Sequence, residues 1–240
     1  GGVSLSGIEY SLPVASAQIK SAILFAGLYA TGITKVAQPH YSRDHTERLL
    51  SFFGVNCSQQ DLSVSVSPCS RLVPKANSFF VPSDFSSAAF FIVLGLLLPD
   101  MDITLSHVGL NPTRIKLLDI LKEMGGDIEV VQRVDDQCEP YGDIRVRSSL
   151  LHNVAIPESD IPNIIDELPI LAVAAAFASG RFELHGASEL RVKESDRIES
   201  IATLIRSLGC KCDVYSDGFS FDDRPSVREF TMNSFGDHRI

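Results

Sequence analysis

Ser42-Arg43-Asp44-His45-Thr46-Glu47 follows a strand-like run and opens an amphipathic helix that stops at Gly54. The arrangement returns twice. Asn111-Pro112-Thr113-Arg114 opens a helix that stops at Gly125, and Arg191-Val192-Lys193-Glu194-Ser195-Asp196-Arg197 opens one that stops at Gly209. The last turns align as Leu49-Leu50-Ser51-Phe52-Phe53-Gly54, Ile120-Leu121-Lys122-Glu123-Met124-Gly125 and Leu204-Ile205-Arg206-Ser207-Leu208-Gly209. A glycine just past the last apolar position is a helix stop, and the polar cluster supplies the start. Each start gathers unpaired N–H groups and a positive dipole end, which suits anions. One unit with three different polar insertions predicts a repeat fold whose chemistry sits where the repeats converge.

Working outward, each unit reads as strand, helix, strand, polar turn, second helix and closing strands. In the first, strand Ile8 to Leu12 leads to helix Ser16 to Ala30, then strand Ile33 to Ala37, the first cluster and a hairpin over Val55 and Leu62 to Val66. The second places strands at Phe79 to Val81 and Ile103 to Val108 around helix Ser86 to Leu98, and closes with Asp127 to Arg133 and Asp143 to Arg147. The third places strands at Asn153 to Ile156 and Arg181 to Leu184 around helix Glu167 to Ser179, and closes near Cys210 to Tyr215 and Phe219 to Phe221. A unit of about 70–85 residues exceeds solenoid periods, so each reads as a small α/β layer. The first helices of the units are apolar or small nearly all round, which predicts burial on every side, with the charged second helices outside. Pro74, Asn77, Pro82 and Asp84 mark a hinge near 74–84, dividing residues 1–78 from 79–240.

Composition narrows the function classes. The 240 residues are 45% hydrophobic and 21% charged, ordinary for a globular protein. The longest apolar run, Ala88 to Leu98, has about half the length of a membrane span. The N-terminus lacks a basic region followed by an apolar one, so no signal peptide is read there. A net charge of −9 argues against nucleic acid as partner, although local Lys and Arg can still hold a small anion. The five cysteines, Cys57, Cys69, Cys138, Cys210 and Cys212, are odd in number and lack Cys-x-x-Cys spacing. A metal or disulfide role stays open, but reduced cysteines in a cytoplasmic protein are the better reading.

The chemistry-bearing clusters differ in sharpness. Asp196 with Glu199 forms an N-cap box for the helix carrying Ile198, Ile201 and Ile205, which sets Lys193 and Glu194 in the turn before it and Arg197 in its first turn. Arg197 there can grip a carboxylate or phosphate through two parallel bonds, Lys193 can neutralise a second anion, and Glu194 between them can move a proton. A solvated, salt-bridged helix start is the equally weighted alternative. Asp166 precedes an almost wholly apolar helix, where it is either a cap or a base of raised pKa; capping is the commoner role of such a residue. Ser16-Ala17-Gln18 opens the first apolar helix as a neutral anion cradle or an ordinary cap. Asp44-His45 and Asp237-His238 lack a third ligand at recognised spacing, so no metal is expected.

Ser16-Ala17-Gln18-Ile19-Lys20-Ser21-Ala22, the Ser42 to Glu47 run, Asn111 to Arg114, Ile165-Asp166-Glu167, Leu190 to Arg197 and Asp237-His238-Arg239 together resemble the EPSP synthase (3-phosphoshikimate 1-carboxyvinyltransferase) family of enolpyruvyl transferases. The resemblance runs end to end and in order, and Leu-Arg-Val-Lys-Glu-Ser-Asp-Arg is its most specific string. It implies an inside-out α/β barrel built from six βαβαββ units in two domains, of which this chain would hold an incomplete set. It implies that the 5-hydroxyl of shikimate 3-phosphate attacks phosphoenolpyruvate and that phosphate leaves a tetrahedral intermediate, with no metal or organic cofactor. Carried over residue by residue, Ser16 and Gln18 bind shikimate 3-phosphate, Gln18 also reaches phosphoenolpyruvate, and Arg43 lies on the shikimate side. Asp166 accepts the proton of the attacking hydroxyl, Lys193 is a shared contact, Glu194 transfers a proton, and Arg197 with Arg239 clamps phosphoenolpyruvate. Ala17 stands where some members carry a second Ser, a mark of the glyphosate-tolerant branch.

The family's N-terminal Lys-Ser…Arg motif, its Gly- and Arg-bearing phosphoenolpyruvate loop and its C-terminal Lys find no counterpart here. Each phosphate-binding cation lost removes a contact of about 1.5–3 kcal/mol. The expectation is an internal fragment with little or no turnover alone, derived from a cytoplasmic, monomeric enzyme and able to self-associate. A non-catalytic scaffold with weak anion binding, or an enolpyruvyl transferase acting on a UDP-sugar, are the alternatives.

Overall fold

The computed structural model describes residues 4–135, 138–226 and 229–240. It divides into two compact units, Gly1–Val81 with Val134–Pro140, and Pro82–Arg133 with Tyr141–Ile240.

In the first unit the order is β1 (Leu5–Ser6), β2 (Glu9–Ser11), α1 (Ala17–Gly27), β3 (Ala30–Thr31), β4 (Thr34–Ala37), α2 (His45–Phe52), β5 (Cys57–Gln60) and β6 (Ser63–Val66). The helical crossover of α1 allows β2 and β4 to pair in parallel. β6 then runs antiparallel to both β4 and β5, in the sheet order β2-β4-β6-β5. Alternation in Ser63-Val64-Ser65-Val66 turns both valines inward, where they meet Leu24, Leu28, Val36 and Leu50. Gly27 brings α1 onto this sheet. A Cβ there would sit 2.8 Å from Thr34 and 2.9 Å from Val66.

The second unit continues with α3 (Phe85–Leu97), β7 (Asp102–Gly109), α4 (Lys116–Glu123), β8 (Asp127–Val134) and β9 (Tyr141–Arg147). Then come α5 (Ile161–Ile164), α6 (Leu168–Phe177), β10 (Phe182–Leu184), α7 (Arg197–Ser207), β11 (Asp213–Val214) and β12 (Phe219–Phe221). Its sheets have the orders β7-β9-β8 and β10-β12-β11. One core joins Ile92 and Leu96 of α3, Leu117 and Leu121 of α4, Leu171 and Ala175 of α6 and Ile198 and Ile201 of α7. α3 packs on α6 and α6 on α7, so their starts can share polar partners.

The expected order is complete in the first repeat and lacks its opening strand in the second and third, and the helix stops are physical. Gly54, Gly125 and Gly209 have φ of +75°, +98° and +86°, a region closed to most side chains. Several details differ from expectation. The strand over Phe79 to Val81 is absent, and only Ser83 bridges Val108 in parallel. Pro82 has no N–H for a ladder, and Phe79 instead packs edge-on against Phe52 at 5.2 Å. The strand over Asn153 to Ile156 is likewise reduced to a bridge between His152 and Ser179, where the Asn153 backbone N–H donates to the Ser179 carbonyl and its side-chain amide donates to the Ala175 and Gly180 carbonyls at the end of α6. The strand near Cys210 shortens to β11, since the Cys210 N–H still bonds Ile205 of α7.

Burial of the first helices on every side holds for α6 up to its last residue, Phe177, which is exposed, but not for the others. α1 leaves Ile19 and Phe25 exposed, and α3 leaves Phe90, Phe91 and Leu94 exposed. Apolar composition all round permits burial; the number of neighbouring layers decides it. All five cysteines are free thiols, with Cys210 and Cys212 buried. Among the described residues no helix is long and apolar enough to cross a membrane.

Candidate functional site

The sequence-predicted residues fall in two sets, one in each unit. In the first unit Ser16 caps α1, its Oγ accepting the Ile19 N–H at 3.3 Å. Ala17 and Gln18 follow in the first turn, Gln18 exposed. One turn further, Lys20 is 1% exposed, a charge buried on an otherwise apolar helix. It lies 2.6 Å from Glu47 and donates to the Arg43 carbonyl at 3.0 Å. Ser21 and Thr46 hydroxyls meet at 2.6 Å, and Ser42 donates to Gln38 at 2.6 Å. The cluster that carries Arg43 is thus stitched to the opening turns of α1. No motif assigns Lys20 a role, and its signal in the sequence is that of a lone cation in an apolar stretch.

The second unit builds its set around Arg197, the first residue of α7. Asp196 caps that helix, accepting the Glu199 N–H at 3.2 Å. Glu199 does not complete the box from its side chain; it lies 3.8 Å from Arg191. Arg191 in turn donates to Asp196 at 2.7 Å and to the Ser216 and Tyr215 carbonyls, which fixes the preceding turn. Arg197 itself is 1% exposed. Its Nε and Nη2 grip Asp237 at 2.8 and 3.1 Å, Nη2 also reaches Glu194 at 2.6 Å, and Nη1 reaches Asp166 at 3.3 Å. The structure therefore brings together Asp166, Glu194 and Arg197. Asp237 further accepts from Ser195 at 3.0 Å and from the Arg239 N–H at 2.9 Å. Lys193 is engaged instead by Glu189.

Two readings are settled by this geometry. Glu167, not Asp166, stands at the N-cap of α6, and its side chain makes no cap hydrogen bond. The Asp166 carboxylate faces Arg197. The solvated salt-bridge reading of the Lys193 to Arg197 string also fails for Arg197, because both it and Asp237 are buried. In the sequence Asp237 stands out only beside His238. That it anchors the guanidinium comes from residues 40 apart in the chain meeting in space. A second buried network was not foreseen at all: Ser86, Arg114 and Glu167 are mutually hydrogen-bonded. Among the described residues no group of three His, Cys, Asp or Glu is disposed to hold a metal.

Burial opposes ionisation of Asp237, but the bonds from Arg197, the Arg239 N–H and Ser195 outweigh it and lower its pKa from 3.8 to about 2. A folded-state pKa below the unfolded one adds stability above the unfolded value and loses it as pH falls through the folded value. Urea unfolding should therefore show the chain losing about 2 kcal/mol from this group between pH 4 and pH 2. An Asp237→Asn variant should lack that increment, and parallel pH profiles for the two would refute the assignment.

A protein-family model for EPSP synthase (3-phosphoshikimate 1-carboxyvinyltransferase) matches residues 1–240. A Bacillus subtilis (strain 168) protein named 3-phosphoshikimate 1-carboxyvinyltransferase is 46% identical over 240 residues, covering 100% of this chain and 56% of its own length. One of the same name from Alkalilimnicola ehrlichii is 49% identical over 240 residues, 53% of its length. The chain thus spans about half the length of the curated relatives it matches. The solved EPSP synthase of Acinetobacter baumannii superposes with a TM-score of 0.88 at 42% identity, over 100% of this chain and 55% of that one. The enolpyruvyl transferase NikO from Streptomyces tendae shares the fold, with a TM-score of 0.58 at 17% identity over 83% of this chain and 45% of that one.

Proposed function

Because the chain belongs to the EPSP synthase family, we propose that the protein carrying it transfers the enolpyruvyl group of phosphoenolpyruvate to the 5-hydroxyl of shikimate 3-phosphate, releasing phosphate. The observation that carries this reading is the placement of two carboxylates, Asp166 and Glu194, on the same guanidinium of Arg197, whose other face is locked by Asp237. Addition of a hydroxyl across the enol double bond moves two protons: one leaves the oxygen and one arrives at the methylene carbon. Asp166 takes the first and Glu194 delivers the second; when phosphate leaves, Glu194 removes a proton from the methyl carbon. Arg197 and Arg239 bind the anionic ends of phosphoenolpyruvate, and Lys193 contacts both substrates.

Asp237 lets Arg197 do this. It holds Nε and one edge of the guanidinium, so an incoming anion replaces only Asp166 and Glu194 as partners. In the first unit Ser16, Ala17 and Gln18 at the start of α1, with Arg43, take shikimate 3-phosphate. The segment near 74–84, where the two units divide, is read as the hinge. We further read the whole protein as a cytoplasmic monomer without metal or organic cofactor, and this chain alone as able to self-associate through the apolar face of α1.

Calorimetry with shikimate 3-phosphate, with and without phosphoenolpyruvate, together with phosphate release by the full-length protein, tests the reading. Saturable binding of the first, strengthened by the second, and release of phosphate only with both are expected. A full-length protein that binds neither, or that turns over a UDP-sugar in place of shikimate 3-phosphate, would contradict it.

A further inference from the structure

The second polar cluster, Asn111 to Arg114, has no part in the chemistry above, yet its arginine is directed inward. The Asn111 side chain accepts the Thr113 N–H at 2.9 Å and the Thr113 hydroxyl at 2.7 Å, which presets the turn. Arg114 then donates to Ser86 of α3 and lies 3.4 Å from Glu167. Ser86 donates to the same Glu167 oxygen, and these two side chains are 1% and 2% exposed. A fully buried carboxylate is tolerable only with such a partner.

Glu167 is the residue next to Asp166. In helical backbone, consecutive side chains diverge by about 100°. Ile165 and Glu167 both have helical φ and ψ, so fixing the direction of one carboxylate fixes that of its neighbour. Two arginines from two different polar clusters thus hold consecutive carboxylates, Arg114 on Glu167 and Arg197 on Asp166. We propose that Arg114 and Glu167 are positioning residues for Asp166, setting the rotation of the α6 start so that the Asp166 carboxylate stands at Arg197 and faces the attacking hydroxyl once an anion takes its place there. The proposal rests on the reading of Asp166 as the proton acceptor. It gives the second cluster a role that touches no substrate.

The test uses the full-length protein and three variants: Arg114→Met, Arg114→Lys, and Arg114→Met combined with Glu167→Leu. Arg114→Met should lower kcat by about 10- to 100-fold, with KM for shikimate 3-phosphate within about threefold. Arg114→Lys keeps the charge without the planar guanidinium whose Nη2 reaches both Ser86 and Glu167, and should recover only part of that loss. The double variant removes both buried charges together, so its Tm should return towards that of the unsubstituted protein while kcat stays at least about tenfold low. A folded double variant with kcat within about threefold of the unsubstituted protein would overturn the proposal, as would kcat that simply tracks Tm through the series. Should Arg114→Met not fold, unchanged kcat in a folded Arg114→Lys would overturn it equally. Asp166→Asn separates the two levels. Turnover surviving that change removes the proton-acceptor reading and the proposal with it, whereas an inactive Asp166→Asn beside a fully active double variant removes the proposal alone.

Discussion

Replacing Asp166 by Asn in the full-length protein is expected to lower kcat by about 10²- to 10⁴-fold, which is the usual share of a general base. That corresponds to about 3–5 kcal/mol of barrier. The amide has nearly the shape of the carboxylate and can still accept a hydrogen bond from Arg197, so folding should change little. It cannot take a proton from the substrate hydroxyl. Asp166 is suited to that task because its side chain is 17% exposed, whereas Asp237 on the same guanidinium is fully enclosed. KM for phosphoenolpyruvate should rise little, because Arg197 keeps its charge and gains freedom. Steady-state kinetics with both substrates and a thermal melt decide the matter. Turnover within tenfold of the parent, in a variant of unchanged Tm, would move the proton-acceptor role elsewhere.

The largest loss of stability is expected from Arg197→Met. The methionine fills part of the volume but leaves Asp237 without its cation in a site of 0% side-chain exposure, and deprives Asp166 and Glu194 of theirs. Breaking a buried pair on one side costs about 3–5 kcal/mol, well above the worth of an exposed salt bridge. That loss is a large share of the total for an ordinary domain. Asp237→Leu added to Arg197→Met should restore much of the stability, because no unpaired charge then remains buried. Neither variant should release phosphate. Urea midpoints give the measurement, and an Arg197→Met loss below about 1 kcal/mol would mean that water reaches Asp237.

The same pair of residues shows where reading the chain succeeded and where it stopped. The three glycine stops and most of the unit order were legible because they depend on local rules, φ and apolar period, which act within a few residues, whereas α2 and α4 start without a side-chain cap hydrogen bond. The Asp196 cap and the Ser16 cap belong to that class and are present as read. The start of α6 does not. A carboxylate before an apolar helix looks like a cap, and what turns Asp166 away from that role is an arginine 31 residues later. Lys20 and Glu47, or Ser86, Arg114 and Glu167, are likewise ordinary polar residues until the fold encloses them.

The repeated α/β unit, the positions of its anion-favouring helix starts and the family resemblance are all carried by residues close together in the chain. Which of those starts carries paired carboxylates, and which supports a neighbour, depends on contacts between elements far apart in the chain. Local backbone preferences are set by neighbours in the chain, but the partner of a buried charge is set by the packing of α3 on α6 and of α6 on α7. Arg197 and Asp166, 31 residues apart, have no reason to recognise one another until α6 packs on α7.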